Sequence, residues 1–148
     1  MNSQAFWQQF EVYLRWSFEA LIAPTPLLGF FFALSLSLAI STFRQKPWRK
    51  KVWHWSYWFA LSQLLFFPMI IAVGVLFPAI SSWPSPQANA TGERWLNFTF
   101  YGSLATGVYW IYRMKGLRWF AASLIGLQQL VLACAGFIAG MSVTGQWL

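Results

Sequence analysis

Arg44-Gln45-Lys46-Pro47-Trp48-Arg49-Lys50-Lys51 is a basic turn between two long apolar segments, and it holds five of the chain's ten Lys and Arg residues. Short loops rich in Lys and Arg stay on the cytoplasmic side of a membrane, so this stretch reads as the inner loop of a helical hairpin. A second basic turn holds Arg113, Lys115 and Arg118 and no acid. The remaining cations, Arg15 and Arg94, are accompanied by Glu11, Glu19 and Glu93. The bias has the same sign at every crossing, which puts both tight loops inside and both termini outside.

Composition agrees with that frame. Of 148 residues, 58% are hydrophobic and 9% charged, against about 25% charged in an ordinary soluble domain. Such a surface faces lipid or other protein. The length accommodates four spans of about 20 residues each, so residues 1–148 form one transmembrane domain with no separate soluble unit. The net charge of +7 comes mostly from the two basic turns; topology accounts for it, and no nucleic-acid partner is expected. The single cysteine, Cys134, excludes an intramolecular disulfide and paired-thiol redox chemistry. It reads as a small core residue.

Residues 3–22 form an amphipathic helix. Phe6, Trp7, Phe10, Leu14, Phe18 and Leu21 recur at helical spacing, opposite Gln8, Glu11, Arg15 and Glu19. It is too polar to span and lacks the basic start of a signal peptide. It is expected to lie along the outer membrane interface or against a partner, with Pro24 and Pro26 ending it.

Four transmembrane helices follow, at 26–43, 55–80, 96–112 and 119–143. The first carries Ala33, Ser37 and Ser41 at every fourth position, a close-packing stripe. The second opens on an aromatic belt, Trp53-His54-Trp55-Ser56-Tyr57-Trp58, and contains Pro68, which predicts a kink near Leu64. Residues 81–95 read as the outer loop; Asn89-Ala90-Thr91 within it matches a glycosylation sequon, a short pattern that recurs by chance. The third span is the least apolar. Its row Thr99, Ser103, Gly107 implies shelter from lipid by neighbouring helices. The fourth carries Ala122-x3-Gly126 and Gly136-x3-Gly140, both small-xxx-small pairs.

The two hairpins resemble each other. Arg44-x-Lys46-Pro47-x-Arg49 aligns with Arg113-x-Lys115-Gly116-x-Arg118, Leu61-x-Gln63-Leu64 with Leu127-x-Gln129-Leu130, and Gly74 with Gly140. This is the pattern of a tandem duplication, two hairpins related by an axis along the membrane normal. The bland account is apolar low complexity aligned on two basic turns.

At a rise of about 1.5 Å per residue, Ser35, Gln63, Ser103 and the pair Gln128-Gln129 all fall roughly 12 Å from the inner edge. They define a neutral polar layer. Such groups usually bond between helices and fix their register; the alternative is a cofactor-binding or ligand site for a lipid, quinone or pigment headgroup. His54 completes the candidate list, as an interfacial residue or as a one-sided ligand to haem or chlorin. No catalytic or metal-ligating set is evident. The spans hold no acid or base of the kind that ion-coupled carriers use. Paired cysteines, several histidines and a membrane glutamate are all missing, which argues against quinone-linked disulfide enzymes, haem-binding four-helix cytochromes and small multidrug exporters.

The fold is therefore expected to be an all-α integral membrane protein in the cytoplasmic (inner) membrane; an organelle membrane would suit the same pattern. The first functional expectation is a non-enzymatic subunit of a larger complex, partnered by the bilayer and by other subunits or copies of itself. The alternatives are a homo-oligomeric channel or carrier lined by the polar third helix, and a membrane enzyme that holds a lipid or quinone headgroup.

Overall fold

In the computed structural model, which describes residues 3–22, 25–43, 62–80, 87–115 and 117–146, every described element is helical. They are α1 (Ser3–Glu19), α2 (Thr25–Phe43), α3 (Phe66–Leu76), α4 (Ala90–Arg113) and α5 (Arg118–Thr144). The first basic turn and its aromatic belt lie outside the described residues.

The longest helix, α5, is the axis of the fold, and each of the other four packs on it. By length and composition it is the one described helix able to cross a membrane; Thr25–Ser41 and Ser62–Leu76 are shorter apolar helices. Gly145 closes α5 in the left-handed conformation (φ 72°), and its N–H bonds the Met141 carbonyl. Only glycine adopts that backbone without strain.

Residue pairs along α5 give the direction of each neighbour. The side chain of Ser103 bonds Gln129, and Gly107 abuts Ile125 while Gly92 abuts Val143, so α4 is antiparallel to α5. Gln63 meets Gln129 and Gly74 meets Ala139, so α3 runs parallel to it. Phe31 lies on Gly126 and Ser35 on Ser123, so α2 is antiparallel.

Pro68 has its expected effect. Residues 62–64 are helical, the ladder is interrupted at Leu65, and α3 resumes at Phe66. Proline supplies no N–H to the carbonyl four residues back and its ring crowds that carbonyl.

Two expectations need correction. The third helix starts at Ala90, not at residue 96, so Glu93 and Arg94 belong to α4 and not to a loop. Asn89 caps it: its Oδ1 accepts the Gly92 N–H at 3.2 Å, and its Nδ2 donates to the Pro78 carbonyl at 3.1 Å. The sequon asparagine is thus occupied as an N-cap, a role for which asparagine is among the preferred residues.

The second correction concerns α1, expected at the interface or on a partner. It is docked along its own chain. Phe6, Phe10, Tyr13 and Leu14 pack on a core of Ile70, Ile71, Val75, Leu132, Ala135 and Ala139 from α3 and α5. Tyr13 Oη donates to Ser142 Oγ at 2.8 Å, and the Cys134 thiol lies 3.9 Å from the Ala20 carbonyl oxygen. Seven residues of α1 thus match eight of α5, about 11–12 Å in each case, and the helices are antiparallel. α1 lies along the C-terminal half of α5 and α2 along its N-terminal half. The polar strip remains outside, with Arg15 Nε 2.9 Å from Glu19 Oε1.

Candidate functional site

The polar layer is built from three helices, and its members meet because each occupies the inward face of its helix. Ser103 lies on the row of α4 that is buried, together with Gly92, Thr99 and Gly107. Gln63, in the helical turn before the Leu65 break, is 1% exposed. Its Nε2 donates to the Ser103 carbonyl at 3.4 Å, and its Oε1 accepts from Gln129 Nε2, also at 3.4 Å. Ser103 Oγ is 3.2 Å from Gln129 Oε1 and 2.7 Å from the Phe100 carbonyl. The ring that results is neutral and long-bonded; N–H···O bonds near 3.4 Å lie beyond the usual 2.7–3.2 Å range (about 2.9 Å is typical). Gly107 makes room for it. A Cβ there would fall 3.7 Å from Gln63 Nε2 and 2.9 Å from Ile125 Cγ2.

Ser35, placed in the same layer by its depth, does not join the ring. Its Oγ is 3.0 Å from Ser123 Oγ, on the other side of α5, and each hydroxyl also reaches a carbonyl of its own helix. His54 lies outside the described residues. Gln128 stands apart. Its Oε1 is buried without a hydrogen-bond partner among the described residues, although its neighbour Gln129 is engaged twice.

Two polar links escaped the sequence reading. Trp110 Nε1 donates to Ser62 Oγ at 3.0 Å. Ser142 Oγ donates to the Gly74 carbonyl at 2.8 Å while accepting from Tyr13. The first was foreshadowed by chemistry, since a sheltered indole N–H needs an acceptor. The second had no sequence signal, because it depends on α1 being docked.

Two concavities adjoin the layer. One, of about 260 Å³, lies between the end of α1, the interrupted start of α3 and the middle of α5; its wall includes Phe18, Gln63, Leu64, Phe67, Gln128 and Val131. The other, of about 220 Å³, is a shallow groove between α4 and α5, lined by Leu96, Asn97, Phe100, Ala133 and Gly136. The small-xxx-small pairs divide accordingly. Gly126 is filled by the Phe31 ring, whereas a Cβ on Gly136 would meet nothing within 4 Å.

No protein-family model matches this chain, and neither a curated protein nor a solved structure is significantly similar to it.

Proposed function

We propose that this chain is a four-crossing, non-enzymatic subunit that packs inside a larger membrane complex through the α4–α5 face. The observation that carries the reading is the division of polar and apolar surface. Gln63, Thr99, Ser103, Ser123 and Ser142 are buried within the chain, while the outer side of α4 presents Phe98, Tyr101, Val108 and Tyr112, each more than 60% exposed. α2 likewise exposes Leu27, Phe30, Phe32, Leu36 and Ile40. A surface of that kind suits lipid and other transmembrane helices. The same division gives little support to a channel along α4, because the polar row that would line it is turned inward and bonded.

Within this exterior the Gly136 groove suits a neighbouring helix, since small residues let backbones approach closely without hydrophobic driving force between helices. Gly136→Leu should fill the groove and leave the chain itself intact, with a stability change within about 1 kcal/mol, as glycine is the poorer helix former. Purified in mild detergent, the wild-type protein should carry a second membrane protein or further copies of itself, identified by native mass spectrometry. The variant should lose that company at least tenfold. A wild-type chain that elutes alone, or a variant that keeps all its partners, would remove the subunit reading.

Crossing number has its own test. Cysteines at Gln45 and Ser85, in a Cys134→Ser background, should react with an impermeant maleimide from opposite sides of a sealed membrane, Ser85 from outside. Labelling of both from one side would end the four-crossing topology.

A further inference from the structure

Asn97 is out of place on an apolar exterior. It is exposed on α4, and its carboxamide bonds none of the described residues. It lines the groove of about 220 Å³ with Leu96, Phe100, Ala133 and Gly136. A carboxamide carries donors and an acceptor, and the hydrocarbon of a bilayer has partners for neither. Glu93 and Arg94 precede Asn97 by four and three residues, which puts them on the same side of α4, about 5–6 Å nearer its outer end. Both are exposed. Neither is ion-paired among the described residues, where the one salt bridge is Arg15–Glu19.

The α5 side of the groove is open. A Cβ on Gly136 would meet nothing within 4 Å, and Ala133 beside it is exposed, so a helix seated there approaches the backbone closely. That helix has to bring a group that both donates and accepts at the level of Asn97. One turn higher it has to bring a base for Glu93 and an acid for Arg94. A second copy of the chain brings all three. The basic turns give every copy the same orientation, so a two-fold axis along the membrane normal sets each residue near its own equivalent. Two carboxamides are self-complementary across such an axis, each donating to the other, and the adjacent acid and base are complementary as a pair.

We infer that the chain forms a two-fold dimer in which α4 of each copy seats in the α4–α5 groove of the other. The two Asn97 carboxamides bond each other near the axis, and Glu93 of each copy lies beside Arg94 of the other. The inference rests on the subunit reading, which gives the α4–α5 face to a neighbour, and it names that neighbour.

The test co-expresses two differently tagged copies of the full chain, purifies them through one tag in mild detergent, and reads the product by native mass spectrometry. Wild-type copies should pair. Glu93→Arg sets bases opposite bases and Arg94→Glu sets acids opposite acids, so each variant expressed alone should lose self-association about tenfold. Co-expression of the Glu93→Arg chain with the Arg94→Glu chain should restore the dimer, because each base again meets an acid. Misfolded chains would not recover on mixing. Asn97→Leu should weaken the dimer about fivefold, the worth of two hydrogen bonds between membrane helices, and leave the thermal midpoint of the monomer in place. A dimer indifferent to both charge variants, or one not restored on mixing them, would overturn the pairing. So would a wild-type chain that carries a foreign membrane protein and no second copy. That last result leaves the subunit reading standing, whereas a chain that elutes alone removes both.

Discussion

Gly74→Val should be among the most damaging single substitutions in the chain. A Cβ at position 74 would fall 2.9 Å from both Cα and Cβ of Ala139. The obstruction includes backbone, which cannot swing aside as a side-chain tip can, so α3 and α5 must separate. Separation stretches the Ser142 Oγ bond to the Gly74 carbonyl and loosens the cluster of Ile70, Ile71, Val75, Leu132, Ala135 and Ala139. Overpacking of this sort costs roughly 1–3 kcal/mol for a well-packed site, and valine should sit at the upper end. At about 2–4 °C per kcal/mol for a chain of this length, the thermal midpoint in detergent should fall by roughly 6–12 °C. Gly29→Ala is the control: a Cβ there meets nothing within 4 Å, and the better helix former should hold or slightly raise the midpoint. Ala139→Gly should rescue Gly74→Ala only in part, because the Ala139 Cα remains in the way. An unchanged midpoint in Gly74→Val would mean that α3 and α5 do not cross at this point.

These contacts mark how far the sequence could be read. The helical architecture and the near-full extent of α5 were legible, since an apolar stretch flanked by Arg118 and by Gly145 leaves little choice. Depth-matching brought Gln63, Ser103 and Gln129 to one level, and the structure joins them. It failed for Ser35, because height along a helix says nothing about which way a side chain points around it; Ser35 faces Ser123 and not the glutamines. The start of α4 at Ala90 is hidden in the sequence because Glu93 and Arg94 break the apolar run. Asn89 fits a sequon and a helix cap equally well in sequence, and only its bond to the Gly92 N–H separates the two. Of the small-residue pairs, sequence spacing could not separate Gly126, filled by Phe31, from Gly136, which is open. Close approach depends on what the opposite helix brings to that point.

The misplacement of α1 has the same origin, and it leads to the other large expected effect. An amphipathic helix with one aromatic stripe looks alike whether the stripe meets a membrane interface, a partner or its own chain. The structure places Phe6, Phe10, Tyr13 and Leu14 on α3 and α5, with Ser17 1% exposed. Removing residues 1–19 should therefore damage the fold itself. Phe6, Phe10 and Tyr13 are half-buried against the core, so each contributes less than the about 3–5 kcal/mol of a fully buried aromatic, but the deletion strips all of them at once, together with the Tyr13–Ser142 bond. On the proposed four-crossing topology the truncated chain should still insert, because it keeps both basic turns and the long apolar α5. Its unfolding midpoint should drop by at least 10 °C, by the same conversion of about 2–4 °C per kcal/mol, and protease should cut α3 faster. Docking can also be trapped directly. Ala20→Cys puts a thiol beside Cys134, whose Sγ is 3.9 Å from the Ala20 carbonyl oxygen, and mild oxidation should close a disulfide, since bridged cysteines need Cα atoms only about 4.4–6.8 Å apart. After tryptic cleavage in the basic turns at 44–51 and 113–118, the fragments that carry residues 20 and 134 should stay joined until reduced. A helix lying flat on the membrane surface would keep residue 20 away from α5. Failure to cross-link, combined with an unchanged midpoint after deletion, would return α1 to the interface and dissolve the cleft that Phe18 helps to enclose.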